Sequence, residues 1–345
     1  MKYRLTDIHI LIIAISLCLT LASGTLPKTI SDTSRMERMD KNISDATNGS
    51  SAQGIEVVIL GIAQDAGFPQ IDCKKSCCAE VWGNRVKRKM VSCIGIRDYA
   101  TKKMWLFDAT PDIKDQLHLL NKDGEFTLEG IFLTHAHMGH YTGLMQLGRE
   151  AKGSESVKVY AMPRMAEFLS TNGPWSQLVA LDNIAIKEIH DSELAVPQTF
   201  GEMLLDINIS VTPFLVPHRD EFSETVGYTI ATENKKILFI PDIDKWEKWD
   251  EEIIDKIKEV DMAFLDGTFY QNGEIWGRDM SQIPHPFIVE SIAHFKSLPD
   301  SEKEKIHFIH FNHTNPLLDP NSEESQKIQR SPFKIAKEGS VYNLN

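Results

Sequence analysis

Residues 131–140 read Ile-Phe-Leu-Thr-His-Ala-His-Met-Gly-His and continue as Tyr-Thr-Gly-Leu. The apolar triplet Ile131, Phe132 and Leu133, followed by polar residues, has the pattern of a buried strand reaching its carboxyl end. His135 and His137 are two positions apart, so on an extended backbone their imidazoles project to the same side. Met138 and Gly139 let the chain turn, and His140 brings a third imidazole to the start of a helix expected to run to about Ala151. Three of the chain's 12 histidines fall within these six residues. Imidazoles converging from a strand end into a turn make a transition-metal site, and the concentration favours that over three separate surface or capping histidines.

The chain has 345 residues, 42% hydrophobic and 25% charged, the make-up of a soluble globular protein with one large or two ordinary domains. Its net charge is −12 and it has no long basic block, which argues against a nucleic-acid partner. A metal pocket can still hold a single phosphate or carboxylate, so the expected partner is a small molecule. Lys2 and Arg4 precede a 13-residue apolar run, 10–22, interrupted by Ser16 and Thr20 and followed by Ser23 and Gly24. The run is short for a bilayer span, so residues 1–24 read as a signal peptide of a secreted or periplasmic protein, with an uncleaved membrane anchor as the alternative. Once the signal is cleaved, no span is expected. Residues 25–54 are a polar linker with glycosylation acceptors at Asn42 and Asn48 if the host glycosylates. The globular domain is expected over 55–345.

Within that domain, strands are expected at 55–60, 92–96, 104–107, 157–161, 211–216, 226–232, 236–240, 262–265 and 306–311. Helices are expected after Thr110-Pro111, at 163–170, at 246–260 and at 287–298. The tail after Pro320 is polar with only a short helical stretch. Asp108 ends a strand just before the histidine strand and either orients a ligand imidazole or caps the next helix. His285, between two prolines, is either held over a pocket or exposed on a loop. His118 and His294 read as structural, His190 as a surface residue and His307 as a residue on the outer face of its strand. Cys18 leaves with the signal. Cys73, Cys77 and Cys78 crowd into six residues, awkward for disulfides; they offer three thiolates, one partner short of a structural zinc, or are incidental to a polar turn.

The 135–140 pattern resembles the His-x-His-x-Asp-His signature of the metallo-β-lactamase superfamily, with Gly139 where the signature has Asp. There the first two histidines bind one metal, and the Asp and last His bind a second. His218, behind strand 211–216, matches the third His of the first metal. Asp242, behind strand 236–240, matches the Asp that touches both metals, with Asp244 as a competitor. His310 matches the last ligand of the second metal. The resemblance covers nearly all of 55–316. It implies an α/β protein, an αβ/βα four-layer sandwich with its site at strand ends along one edge.

Residues 67–78 are further similar to the Gly-Phe-Pro-Gln-x-x-Cys-x-Cys-x-x-Cys segment of the pyrroloquinoline quinone biosynthesis protein B family, and Asp266-Gly-Thr-Phe resembles the same family. Related carbon–phosphorus lyase phosphodiesterases use a similar Cys cluster for a zinc away from the catalytic centre, completed by a His that His313 matches. Cys73 and Cys78 match in position. Lys75 stands where the middle Cys would be, so Cys77 has to take over. In those phosphodiesterases a His placed like His285 contacts the scissile phosphate.

The resemblance thus implies a metallo-hydrolase with His135, His137 and His218 on one divalent metal, Asp242 shared, and His140 and His310 on another. Zinc is the first choice and manganese or iron the alternatives. Without a carboxylate at position 139 the second ion is expected to bind weakly, leaving one or two catalytic metals. Activated water would attack an ester or phosphodiester, with His285 serving the leaving group. Two other readings are an iron-dependent oxidative enzyme of quinone cofactor synthesis and a non-catalytic binding protein. Residues 61–70, 173–189 and 271–286 are expected to wall the pocket.

Overall fold

In a computed structural model of the chain the described residues are 54–121, 124–191, 203–206 and 208–345. The expected signal peptide and most of the linker lie outside them. The first seven-stranded sheet contains β1 (Ile55–Gly61), β2 (Cys93–Asp98), β3 (Lys103–Phe107), β4 (Thr127–Phe132), β5 (Val157–Ala161), β6 (Ile184–Glu188) and β14 (Val341–Asn343), ordered β14-β1-β2-β3-β4-β5-β6. The second, also seven-stranded, contains β7 (Met203–Asp206), β8 (Ile209–Leu215), β9 (Val226–Ala231), β10 (Lys236–Ile240), β11 (Met262–Asp266), β12 (Ile306–Ile309) and β13 (Lys334–Ile335), ordered β13-β12-β11-β10-β9-β8-β7.

Alternation along the strands explains why the sheets stack. On β3, Trp105 and Phe107 face the second sheet, while Met104 and Leu106 pack under the helix Ile113–Leu120. On β4, Phe132 faces inward and Ile131 outward. Phe107 and Phe132 stack at 5.0 Å, and Tyr228 of β9 meets both edge-on. Helices Ile253–Lys258 and Ile288–His294 add Ile253, Ile257 and Ile288 to the core containing the second sheet. The result is helix, sheet, sheet, helix: the four-layer αβ/βα sandwich that the pattern of apolar strands requires. No helix among the described residues is long and apolar enough to cross a membrane.

Several expected elements come out shorter. The helix after His137 is only Met138–Tyr141, continued by a 3-10 turn Thr142–Leu147. The 246–260 helix is a 3-10 turn, Trp246–Lys248, followed by Ile253–Lys258. The polar tail forms the short helix expected there, Glu323–Gln329, and beyond expectation places β13 and β14 on the edges of the two sheets.

His307 is a correction. It is 3% exposed, between Phe264 (5.2 Å) and Tyr342 (5.6 Å), with Nδ1 donating to the Lys305 carbonyl at 3.0 Å. It shares its face with Phe264 and Phe239, the latter packed on Phe107 of the first sheet, so it points between the sheets and not outward, and Tyr342 of the unanticipated β14 packs on it. Burial pushes its pKa down to about 4. The folded state therefore holds the ring neutral while the unfolded chain protonates it, so stability is intact above about pH 6.5 and is lost as pH falls toward 4. About 2 kcal/mol of this should be gone by pH 5. In His307→Phe the fall in Tm between pH 7 and pH 5 should be smaller by several degrees; equal slopes would refute the assignment.

Candidate metal centre

Strands β3, β4 and β5 are mutually parallel, as are β10, β11 and β12, so their carboxyl ends collect functional groups at one edge of each sheet. β3 delivers Asp108, β4 delivers Thr134, His135 and His137, β10 delivers Asp242, β11 delivers Asp266 and β12 delivers His310. β8 runs the same way as β10 and delivers His218. The two edges are pinned together beside the site. Tyr228 Oη donates to the Leu133 carbonyl at 2.5 Å, and Val226 N donates to the Thr134 carbonyl at 3.1 Å.

His135, His137, His218 and Asp242 form one group, each offering a ligand atom within 4.8 Å of the others. Asp242 faces both sides. Its Oδ1 lies 3.3 Å from His218 Nε2, and its Oδ2 lies 3.4, 3.7 and 3.9 Å from Nε2 of His135, His140 and His310. Asp244 points elsewhere: its oxygens accept from Lys248 Nζ at 2.9 Å and Lys245 N at 2.7 Å. His137 Nε2 meets Glu221 at 2.9 Å, leaving Nδ1 turned toward His135 Nε2 at 2.8 Å.

Two Asp–Thr relays fix which imidazole nitrogen carries the proton. Asp108 accepts from the Thr134 hydroxyl at 3.0 Å, and that oxygen can accept from His135 Nδ1, also at 3.0 Å. Asp108 Oδ2 accepts from His140 Nδ1 at 2.7 Å. In the second sheet Asp266 accepts from the Thr268 hydroxyl at 2.7 Å, which can accept from His310 Nδ1 at 2.9 Å. Each relay leaves Nε2 with a free lone pair aimed into the cluster, the orientation that a metal ligand needs. Asp108 is thus an orienting residue rather than a cap.

The second group was expected to lack a carboxylate beyond Asp242, but Asp65, from the loop after β1, stands with His140 and His310. Its Oδ1 is 3.4 Å from His140 Nε2. Sequence spacing missed it because Asp65 lies far upstream, in a loop with no motif spacing to the histidines. Asp65 Oδ1, His140 Nε2, His310 Nε2, both ring nitrogens of His218 and Asp242 Oδ1 are buried without hydrogen-bond partners. Such an atom costs about 1–3 kcal/mol each, and several facing one another fit a cation that would satisfy them together.

Electrostatics agree. Burial, with the neighbouring imidazoles, lowers the pKa of His135 and His218, and takes His310 down to about 3. Burial raises Asp242 to about 7. Burial would also raise Asp65, but the neighbouring His140 holds it below the carboxylate range. His135, His218 and His310 are thus held as neutral donors, whereas burial of His140 is outweighed by Asp108 and Asp65, which raise its pKa well above the ordinary value.

His285 is buried, not a surface loop residue, with Nδ1 2.8 Å from Asp266 Oδ2 and 3.2 Å from Asp242 Oδ1. Burial opposes its charge, yet Asp266 and Asp242 prevail and raise its pKa to about 9. It lines a cavity of about 570 Å³ together with Asp65, Phe269 and the cations Lys75, Arg219 and Arg278. Residues 64–70 and 275–285 contribute to this wall as expected, whereas none of 173–189 does: that stretch holds helix Trp175–Ala180 and the edge strand β6.

Cys73, Cys77, Cys78 and His313 form a separate group. The adjacent pair sits on the helix Ser76–Trp82 and not in the polar turn that was one of the two readings of this segment. Sγ atoms of Cys73 and Cys77 are 3.8 Å apart, those of Cys77 and Cys78 3.9 Å, and His313 Nδ1 is 3.5 and 3.4 Å from Cys77 and Cys78. A tetrahedral zinc with bonds of about 2.3 Å to sulfur sets its sulfurs roughly 3.8 Å apart. The donor set and spacing fit that ion.

Two facing sheets with a His/Asp cluster at their strand ends define a metallo-β-lactamase fold. The model of the beta-lactamase superfamily domain matches residues 104–311, and the chain belongs to that superfamily. The coenzyme PQQ synthesis protein B of Methylorubrum extorquens (strain PA1) is 26% identical over 319 residues, 84% of this chain and 100% of the relative. That of Gluconobacter oxydans (strain 621H) is 24% identical over 322 residues, 84% and 99%. Among solved structures, Zn(2+)-bound PqqB from Methylobacterium extorquens is similar with a TM-score of 0.69 at 23% identity over 84% of this chain and 100% of that one. A diphosphatase from the PhnP family gives 0.60 at 18%, over 84% and 96%. Both likenesses are of fold.

Proposed function

We propose that the protein is a metal-dependent hydrolase of small anionic ester or phosphodiester substrates. His135, His137 and His218 hold one divalent cation, His140 and His310 a second, and Asp242 lies between. The observation that carries this is Asp242, whose carboxylate faces imidazoles from both groups within 3.9 Å. Cations held there supply Lewis acidity and an acidified water near neutral pH. The relays through Asp108 and Asp266 keep the ligand imidazoles in the metal-binding tautomer. Lys75, Arg219 and Arg278 at the cavity draw an anionic substrate to an otherwise acidic protein. His285, its Nδ1 tied to Asp266, carries a proton at neutral pH and gives it to the leaving oxygen. Cys73, Cys77, Cys78 and His313 hold a structural zinc.

Phosphodiesters, lactones and thioesters, each offered with zinc, manganese and iron, form the test; no metal-dependent hydrolysis across that panel would overturn the proposal. His285→Gln should lower kcat by about 10²–10⁴-fold on substrates with poor leaving groups. It should do far less on nitrophenyl esters, whose leaving group needs no proton, and an equal loss on both would remove His285 from this role.

A second reading rests on the similarity to coenzyme PQQ synthesis protein B over 84% of this chain: an iron-dependent oxidative step in quinone cofactor synthesis. Iron in the purified protein with substrate-dependent oxygen consumption would put this reading first.

A further inference from the structure

We propose that Asp65 and Gly139 are two halves of one exchange: the carboxylate missing from position 139 is supplied across space by Asp65, and the glycine is required so that Asp65 can be there. The inference rests on the metal reading above and concerns which residues complete the second group. A Cβ placed on Gly139 would lie 2.3 Å from Asp65 Oδ1 and 2.5 Å from Asp65 Cα. The second of these is a backbone atom, so no side chain at 139 fits while the loop runs where it does. The backbone of Gly139 is helical, so this glycine serves closeness of approach and not an unusual torsion.

The loop is held in place by the strand end that carries the ligand histidine. Gln64 N donates to the Phe311 carbonyl at 2.8 Å, Phe311 N donates to the Ile62 carbonyl at 2.8 Å, and Asn312 Nδ2 donates to Gln64 Oε1 at 2.5 Å. Asp65 is therefore fixed relative to His310 by the pairing of Ile62 and Gln64, just before it, with Phe311. Its Oδ1 is buried, has no hydrogen-bond partner, and lies 3.4 Å from His140 Nε2. An anion so placed replaces the lost charge, and the second ion is bound as fully as the first.

Titrating metal-free protein with Co²⁺, with elemental analysis and the visible d–d bands as readouts, tests this without any substrate. The Cys cluster is counted separately by its sulfur charge-transfer bands. Wild type should take two Co²⁺ outside the Cys cluster. Asp65→Ala and the shape-preserving Asp65→Asn should keep one and bind the other about 100-fold more weakly. Asp65→Gly should do the same, and Asp65→Gly/Gly139→Asp, which removes the obstruction and returns the carboxylate, should recover to within about tenfold of wild type. Wild-type affinity for both ions in Asp65→Ala and Asp65→Asn overturns the exchange, as does a folded double variant no better than Asp65→Gly. If the double variant does not fold, the two single substitutions decide. A wild type that loads only its Cys cluster sinks the metal reading itself.

Discussion

Asp242→Ala should strip both catalytic ions at once and lower metal-dependent turnover by at least about 10³-fold, a larger loss than from any single imidazole. Each histidine serves one group, whereas Asp242 approaches four of them: Oδ1 lies 3.3 Å from His218, and Oδ2 3.4 Å from His135, 3.7 Å from His140 and 3.9 Å from His310. The same substitution should make the metal-free protein more stable. Burial raises the Asp242 pKa from 3.8 to about 7, so the folded apoprotein binds a proton more readily than the unfolded chain. The sign follows: stability falls as pH rises from about 4 toward 7, by up to about 4 kcal/mol, and the cost is full above that window. At pH 8 chelator-stripped Asp242→Ala should melt above stripped wild type, and the order should reverse when metal is restored. A variant that melts below wild type in both states, or keeps two ions, would refute the bridging role.

The first group was legible from sequence because its donors follow strands with strong local signals. Residues 131–137 carry the alternation that sends His135 and His137 to one side, and His218 follows an apolar strand; Asp242, and His310 of the second group, also follow apolar strands but were assigned through the superfamily resemblance. Burial on both faces makes such runs conspicuous. Asp65 had no such signal. Its closeness to Gly139 comes from how the loop after β1 crosses the end of β4, a non-local arrangement that neither segment encodes. His307 was misjudged for a related reason: it points between the sheets, where Tyr342 of β14, from a polar tail with no periodicity, packs on it. The Cys cluster was legible in two steps: spacing supplied the three thiols and the family resemblance supplied His313, which the fold brings across more than 230 residues to meet them.

Asp108 separates folding from metal affinity within one side chain. It is fully buried at φ 72°, accepts from Thr134 N at 2.8 Å and from the Thr134 hydroxyl at 3.0 Å, and accepts from His140 Nδ1 at 2.7 Å. Asp108→Ala orphans two buried N–H donors and puts a Cβ-bearing residue without a local acceptor in the left-handed region. The expected cost is about 3–5 kcal/mol, a large part of the 5–15 kcal/mol that holds a typical domain together. Asp108→Asn is the more informative change. Asparagine tolerates this backbone, and its carbonyl can still accept from Thr134, so the loss of stability should stay near 1 kcal/mol. Its amide must then face His140 Nδ1 as a donor. The ring answers by moving its proton to Nε2, the nitrogen that the second ion needs, and affinity for that ion should fall by about 10–100-fold. Denaturant midpoints and Co²⁺ titration of both variants read the two effects apart. Asp108→Asn with wild-type affinity for both ions would mean that the Asp108 carboxylate only supports the fold and does not set the tautomer of His140.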